Sequence, residues 1–263
     1  MYIFIAIPCY AGQLHAQFVQ SLTRLLFTLK DANVPHVVEY ITTESLISRA
    51  RNTLTALFYS QLKYTHLLFL DADLIFSEQA IISLLNSGKE LVGCPYPKKK
   101  INWLKVNKLI EDKEDIENNQ TMITDINYNL AETCGGVEVD GSMIVVKDIP
   151  TGCMLIKRSV ITTLMLNYPE RKFKNNVAGY DRDANDYFYD FFATGVVDGY
   201  YLSEDYYFCH LCREVNIKCW LEINYTFGHI GVKTFYGNLA KQLHKYGAND
   251  QFNQDIKLLS KIM

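Results

Sequence analysis

The sequence predicts an α/β chain with a mostly parallel central sheet flanked by helices. Through the first hundred residues, short apolar runs alternate with segments of helical periodicity, and a strand, helix, strand succession means parallel pairing with right-handed crossovers. The runs themselves are apolar without alternation, as in Leu67-Leu68-Phe69-Leu70, and a strand of this kind is covered on both faces.

In order, residues 2–7 form an apolar strand that stops at the loop Pro8-Cys9-Tyr10-Ala11-Gly12. Leu14, Phe18, Leu22, Leu25, Leu26 and Leu29 follow helical spacing, and turn residues at 31–35 end that helix. Residues 36–41 read as a second strand, and 45–63 as a second helix with Ala50, Leu54, Leu57 and Phe58 on its buried face. The third strand, from Leu67, ends abruptly in Asp71-Ala72-Asp73. Ligands collect at the carboxyl ends of the strands in such sheets, so Asp71 and Asp73 stand where one is expected. Two hard oxygen donors there suit Mg²⁺ or Mn²⁺ carrying a diphosphate, although the same pattern also makes an ordinary Asp-rich turn.

At 100° per residue, Ser45, Ser48, Arg49 and Asn52 fall off the apolar stripe of the second helix, with Arg51 at its edge. Either they form a solvated face, or guanidinium and amide groups contact a base or a phosphate. A helix at 77–87 and a strand at 90–94 lead into Pro95-Tyr96-Pro97-Lys98-Lys99-Lys100, which reads as a restricted loop presenting a Lys to phosphate, with Tyr96 and Trp103 available for sugar stacking. Residues 104–139 are charged and Asn-rich and read as a mobile surface insertion, partly helical at most.

Order returns in the strand Thr151-Gly152-Cys153-Met154-Leu155-Ile156 and a helix at 159–167. Residues 168–199 are polar, irregular and rich in Tyr and Asp, and their contacts are not legible. Ser203 then caps a helix whose first turn holds Glu204 and Asp205. Those acids complement the helix dipole, or one of them takes a proton from an attacking hydroxyl. After a strand at 218–223, His229 lies in the open stretch Gly228-His229-Ile230-Gly231, which suits a metal ligand better than a core position. The last 30 residues read as a closing helix pair.

Composition limits the function classes. The chain has 263 residues, enough for one large α/β domain or two small ones, and a net charge of −3 gives no general attraction to nucleic acid or acidic membranes. Seven cysteines do not resemble a disulfide framework, and reduced thiols in a cytoplasmic protein are the simpler expectation. Cys209, Cys212 and Cys219 invite a zinc reading, but no matching second pair follows. No run of apolar residues is long enough to span a bilayer, and no cleavage-type leader is evident, so no transmembrane segment is expected.

The ordered set Pro8-Cys9-Tyr10, Arg49-Ala50-Arg51-Asn52, Asp71-Ala72-Asp73, Pro95-Tyr96-Pro97-Lys98-Lys99, Thr151 to Ile156, Ser203-Glu204-Asp205 and His229 resembles the nucleotide-sugar-dependent glycosyltransferases of the GT-A fold, including those of large DNA viruses and bacteria. The likeness implies a single Rossmann-like domain over residues 1–236. Within it, 1–100 would form the nucleotide-binding half, 104–148 a variable insertion and 149–236 the acceptor and metal half, with 237–263 a helical extension. It further implies that Asp73 binds Mn²⁺ or Mg²⁺, that Asp71 contacts metal or donor ribose, and that His229 completes the metal site. Ile7, Pro8, Tyr10 and Ala72 would line the donor pocket, with Arg49, Arg51 and Asn52 near base and diphosphate, and Lys99 at donor phosphate or acceptor. Glu204-Asp205 is similar to the family's E-D motif, whose Asp is the general base of inverting members. The implied donor is a UDP- or GDP-sugar, and the implied acceptor a glycan or glycoprotein. Absence of G-x-G-x-x-G counts against a dinucleotide oxidoreductase. A retaining transferase, a metal-dependent nucleotidyltransferase and a non-catalytic binding domain stay open as alternatives.

Overall fold

The computed structural model describes residues 1–42, 44–131, 137–175, 184–231 and 233–246. The chain opens with β1 (Ile3–Pro8), α1 (Ala16–Asp31), β2 (His36–Ile41), α2 (Ile47–Ser60) and β3 (His66–Leu70), the alternation expected. β4 (Leu74–Ile75) follows the Asp71-Ala72-Asp73 turn. In α3 (Glu78–Asn86) the N-cap Ser77 hydroxyl accepts a hydrogen bond from the Ala80 amide, one of the donors a helix start leaves unpaired. There follow β5 (Leu91–Gly93), β6 (Pro97–Ile101), α4 (Trp103–Glu111), β7 (Thr124–Ile126), β8 (Asn129–Leu130), β9 (Val139–Asp140) and β10 (Met143–Asp148). The chain continues through β11 (Cys153–Lys157), α5 (Arg158–Asn167), β12 (Gly195–Val197), β13 (Tyr200–Leu202) and α6 (Glu204–Glu214). It closes with β14 (Cys219–Glu222), β15 (Phe227–His229), β16 (Phe235–Gly237) and α7 (Leu239–Tyr246).

The main sheet runs β2-β1-β3-β11-β5-β14-β10-β8, with β9 also paired to β10. This corrects the expectation of a mostly parallel sheet. Among the described residues only β1–β2, β1–β3 and β5–β14 are parallel, while β11 runs antiparallel to both β3 and β5, and β10 antiparallel to its neighbours. An apolar run reports that both faces of a strand are covered and says nothing about the direction of its partners. Reversal at β11 brings its amino end against the carboxyl end of β3, where the Asp71 amide donates to the Gly152 carbonyl at 2.9 Å. A Cβ at Gly152 would lie 2.5 Å from the Tyr96 hydroxyl oxygen, so this crossing requires glycine.

Strand alternation sorts the core into two layers. Ile3, Ile5, Ile7, Leu68 and Leu70 face Phe18, Leu22, Leu25 and Leu29 of α1 and Ile81 and Leu84 of α3. Phe4, Ala6, Leu67 and Phe69 face α2, α5, α6 and α7 through Leu54, Phe58, Val160, Leu164, Phe208 and Leu243. Cys209, Cys212 and Cys219 belong to this second layer as buried free thiols. Burial drives the Cys209 and Cys212 thiols well above their usual range, the opposite of what zinc ligation needs.

Two other expectations change. The stretch around Lys98-Lys99-Lys100 is strand β6, paired antiparallel to β7, rather than a loop. Residues 104–131 and 137–148 are structured: Asn102 caps α4 by accepting from the Leu104 and Lys105 amides, and Val106, Leu109, Met122 and Ile123 form a small core. Here an amphipathic helix decided the outcome over the charge run that follows it. Of the closing helix pair, α7 is observed, and residues 247–263 lie outside the described residues. No helix among the described residues is long and apolar enough to cross a membrane.

Candidate active site

Asp73 and His229, 156 positions apart in sequence, are made neighbours by a short ladder. β4 pairs antiparallel with β15, matching Leu74 with His229 and Ile75 with Gly228, and the Ile230 amide donates to the Asp73 carbonyl at 2.7 Å. His229 Nδ1 lies 2.8 Å from the Pro97 carbonyl. A carbonyl can only accept, so Nδ1 carries the proton, and in the neutral ring the lone pair is on Nε2. Nε2 is 3.5 Å from Asp73 Oδ2, and Lys99 Nζ donates to the same oxygen at 2.5 Å. Burial works to raise the Asp73 pKa, but the neighbouring His229 and the Lys99 ammonium outweigh it and hold the carboxyl at about 2. The Tyr96 ring packs edge-on against His229, with ring centres 5.0 Å apart.

A second constellation lies beneath. Arg51, 2% exposed, donates from Nη2 to both Asp71 oxygens at 3.0 and 3.2 Å, and from Nε to Glu204 Oε1 at 3.4 Å. Its guanidinium lies over the Phe69 ring at 5.4 Å. Nη1 is buried with no hydrogen-bond partner among the described residues. Burial raises the Asp71 pKa, as do Asp73 and Glu204, against the opposing pull of Arg51. Next to Glu204, Asp205 stands in the first turn of α6, where Oδ1 accepts from the Ser203 hydroxyl and from the Tyr206 amide. Burial, aided by Glu204, raises its pKa above the usual carboxylate value. Both of these bonds fall on Oδ1, leaving Oδ2 with capacity for a proton.

The two polar residues beside Arg51 on α2 point to other tasks. Asn52 gives its amide nitrogen to Asp190 Oδ1 at 2.8 Å and accepts from the Phe192 amide at 3.0 Å, fastening the segment 184–192 to the helix. That amide, placed beside the diphosphate by the sequence reading, is taken up in packing. Arg49 clamps Glu44 through Nε at 2.5 Å and Nη2 at 2.9 Å, and this pairing holds the Glu44 carboxyl below its usual range. Ile7, expected in the donor pocket, is wholly buried in the core.

A cavity of about 340 Å³ opens above the β1 and β3 ends, lined by Pro8, Tyr10, Asp71, Ala72 and Asp73. Cys9, Ser45 and Ala50 also line it, as do Gln13, His15, Ile41, Glu44 and Ile47. The last five were not singled out from the sequence. Glu44, an acid just ahead of a helix start, was the one available signal.

Asp73 and His229 provide one hard oxygen and one imidazole nitrogen, and the other ring nitrogen donates to the Pro97 carbonyl, as the second nitrogen of a metal-binding histidine commonly does. Asp71, expected at the metal or the donor ribose, has both carboxylate oxygens bonded by Arg51. No cluster of three or more His, Cys, Asp or Glu suited to a metal occurs among the described residues. Two protein donors fit a divalent ion that keeps most of its coordination for phosphate oxygens and water.

No protein-family model matches the chain, and no curated protein matches it. Among solved structures, A197 from STIV superposes with a TM-score of 0.47 at 14% identity, over 90% of this chain and 95% of that one. The inositol-1-phosphate CTP transferase from T. maritima superposes with a TM-score of 0.38 at 11% identity, over 100% of this chain and 96% of that one. Both scores fall below 0.5, and neither likeness assigns a family or an activity.

Proposed function

We propose that this chain is a metal-dependent glycosyltransferase that moves a sugar from a UDP- or GDP-sugar to a hydroxyl of a glycan or glycoprotein acceptor, with inversion, using Asp205 as general base. The observation that carries the reading is the β4–β15 ladder, which sets His229 Nε2 3.5 Å from Asp73 Oδ2 at a cavity at the carboxyl end of β3. In the reaction the acceptor oxygen bonds to the anomeric carbon as the bond from that carbon to the diphosphate oxygen breaks. The diphosphate leaves with the bonding pair, and the acceptor proton passes to Asp205 Oδ2. A bound Mg²⁺ or Mn²⁺ supplies positive charge against the leaving diphosphate. Asp73 and His229 would hold that ion. Lys99, released from Asp73, is then a cation free for phosphate. Pro8 and Tyr10 would border the nucleoside, and Arg51 positions Asp71 and Glu204 between the donor and acceptor sides.

The test is release of free nucleoside diphosphate from a panel of UDP- and GDP-sugars with Mn²⁺, with and without simple sugar acceptors. Asp205→Asn is expected to lower kcat about a hundredfold or more, the scale of general-base catalysis, with donor KM little changed. A base acts only when deprotonated, so the raised Asp205 pKa moves the acid limb of the rate profile upward, and activity falls as pH drops through that raised value. No diphosphate from any donor overturns the reading, and pyrophosphate release from a nucleoside triphosphate replaces it with a nucleotidyltransferase.

A further inference from the structure

A second cavity, about 900 Å³ in volume, runs along α6 between that helix, the β12–β13 hairpin and the β8–β10 edge of the main sheet. It shares no lining residue with the first cavity. Tyr206, His210 and Arg213 recur at helical spacing and line it from one face of α6, while Phe208, Cys209, Leu211 and Cys212 fill the core from the other. The cleft therefore begins one residue past Asp205.

Its opposite wall is a two-stranded ribbon turned by Asp198 and Gly199, whose φ values of 50° and 82° allow a tight hairpin. Such a ribbon has no core of its own. It nevertheless presents Tyr200 at 75% and Tyr201 at 72% exposure; as neighbours in one strand they point to opposite faces, and Tyr200 shares the cleft face with its cross-strand partner Val197. Hydrogen bonds tie the floor together: Asp148 accepts from Asn129 at 3.0 Å and from Arg213 at 2.9 Å. Lys147 and Arg213 are matched by Asp148 and Asp198, so the lining carries no excess of either sign, unlike a surface for polyanions. A lipid tail would require an apolar wall, whereas this one mixes ring faces with fixed donors and acceptors. Ring faces that cover C–H surfaces, set among such groups, suit a neutral polyhydroxylated chain.

We propose that this cleft binds the acceptor as a neutral oligosaccharide longer than one sugar unit, stacked on Tyr200, with its reactive end toward Asp205. This rests on the glycosyltransferase reading, and the experiment separates the two. Neutral α- and β-linked tetrasaccharides of glucose, mannose, galactose and N-acetylglucosamine are titrated against the full chain by ligand-observed saturation-transfer NMR, and UDP and GDP with Mn²⁺ by calorimetry. At least one tetrasaccharide is expected to bind, and the double variant Y200A/Y201A to weaken it by about tenfold or more, as loss of stacking contacts implies. The same variant is expected to bind nucleoside diphosphate within about twofold of the parent chain, since these rings are exposed and outside the first cavity. The inference is overturned if no tetrasaccharide binds, or if the double variant binds as the parent does. Saccharide binding without diphosphate binding would leave the cleft standing and remove the donor reading. Concentration-dependent dimers abolished by Y200A/Y201A, with no saccharide bound, would make the ribbon a self-association surface and overturn the proposal.

Discussion

Arg51 sits where Asp71 and Glu204 would otherwise face each other without a counter-charge, and its burial makes that arrangement costly to disturb. Removing one member of a buried ion pair strands the other's charge, which is why breaking such pairs destabilises more than their presence stabilises. Both carboxylates keep some solvent, with side-chain exposures of 25% for Asp71 and 16% for Glu204, so the low end of the range applies. Arg51→Met is expected to cost about 3 kcal/mol in urea unfolding at pH 7.5. Adding Asp71→Asn removes the stranded charge and should restore about 1 kcal/mol of that loss, although the same change alone weakens the parent chain. Equal destabilisation by Asp71→Asn in both backgrounds would show that the pair is not coupled. The sequence placed Arg51 at the edge of the apolar stripe and offered it to the base and diphosphate. It could not show that the guanidinium is enclosed, because the covering groups come from other elements, β3 and the distant α6.

At the level of elements, α2 acts as a strut between the donor edge and the segment 184–192. That segment reads as irregular and polar in sequence, yet Phe188, Phe191 and Phe192 are wholly buried. Phe192 stacks on Phe208 of α6 with ring centres 4.4 Å apart and planes 4° from parallel, and meets Phe69 of β3 edge-on at 5.3 Å. Asn52 is the polar fastening of this apolar contact. Three phenylalanines within five residues were a usable signal of burial, masked by the Tyr- and Asp-rich composition around them. Asn52→Ala would leave the Phe192 amide and the Asp190 carboxylate unpaired, a loss of about 2 kcal/mol by chemical denaturation, with faster hydrogen exchange at Phe192. Asn52→Asp should be worse, because it sets a carboxylate against the Asp190 oxygen that accepted the amide nitrogen. If the Asp variant is as stable as the Ala variant, Asn52 is not what fastens the segment.

For the molecule as a whole, the first half was legible and the second only in part, for one physical reason. Periodicity and apolar runs are local signals, so β1, α1, β2, α2 and β3 could be read in order, together with the sheet edge where Asp71 and Asp73 stand. Direction and register of returning strands are set by contacts between distant segments, so the antiparallel β11 and the β4–β15 pairing could not be read. Only the pairing explains why Asp73 and His229 meet and why Asp71 is left to Arg51. It also yields a test on the intact chain. If Asp73 and His229 hold a divalent ion that carries a diphosphate, metal and nucleotide must stabilise the fold together by mass action. At a hundredfold excess of nucleoside diphosphate over Kd, with Mn²⁺, the gain is about 2.7 kcal/mol, or roughly 5–10 °C in Tm for a chain of this size. Asp73→Asn and His229→Ala should each abolish the Mn²⁺-dependent part of that shift, and Y200A/Y201A should leave it intact. A shift that persists in both Asp73→Asn and His229→Ala would place the metal elsewhere, and one lost in Y200A/Y201A would mean that the two cavities are not separate sites.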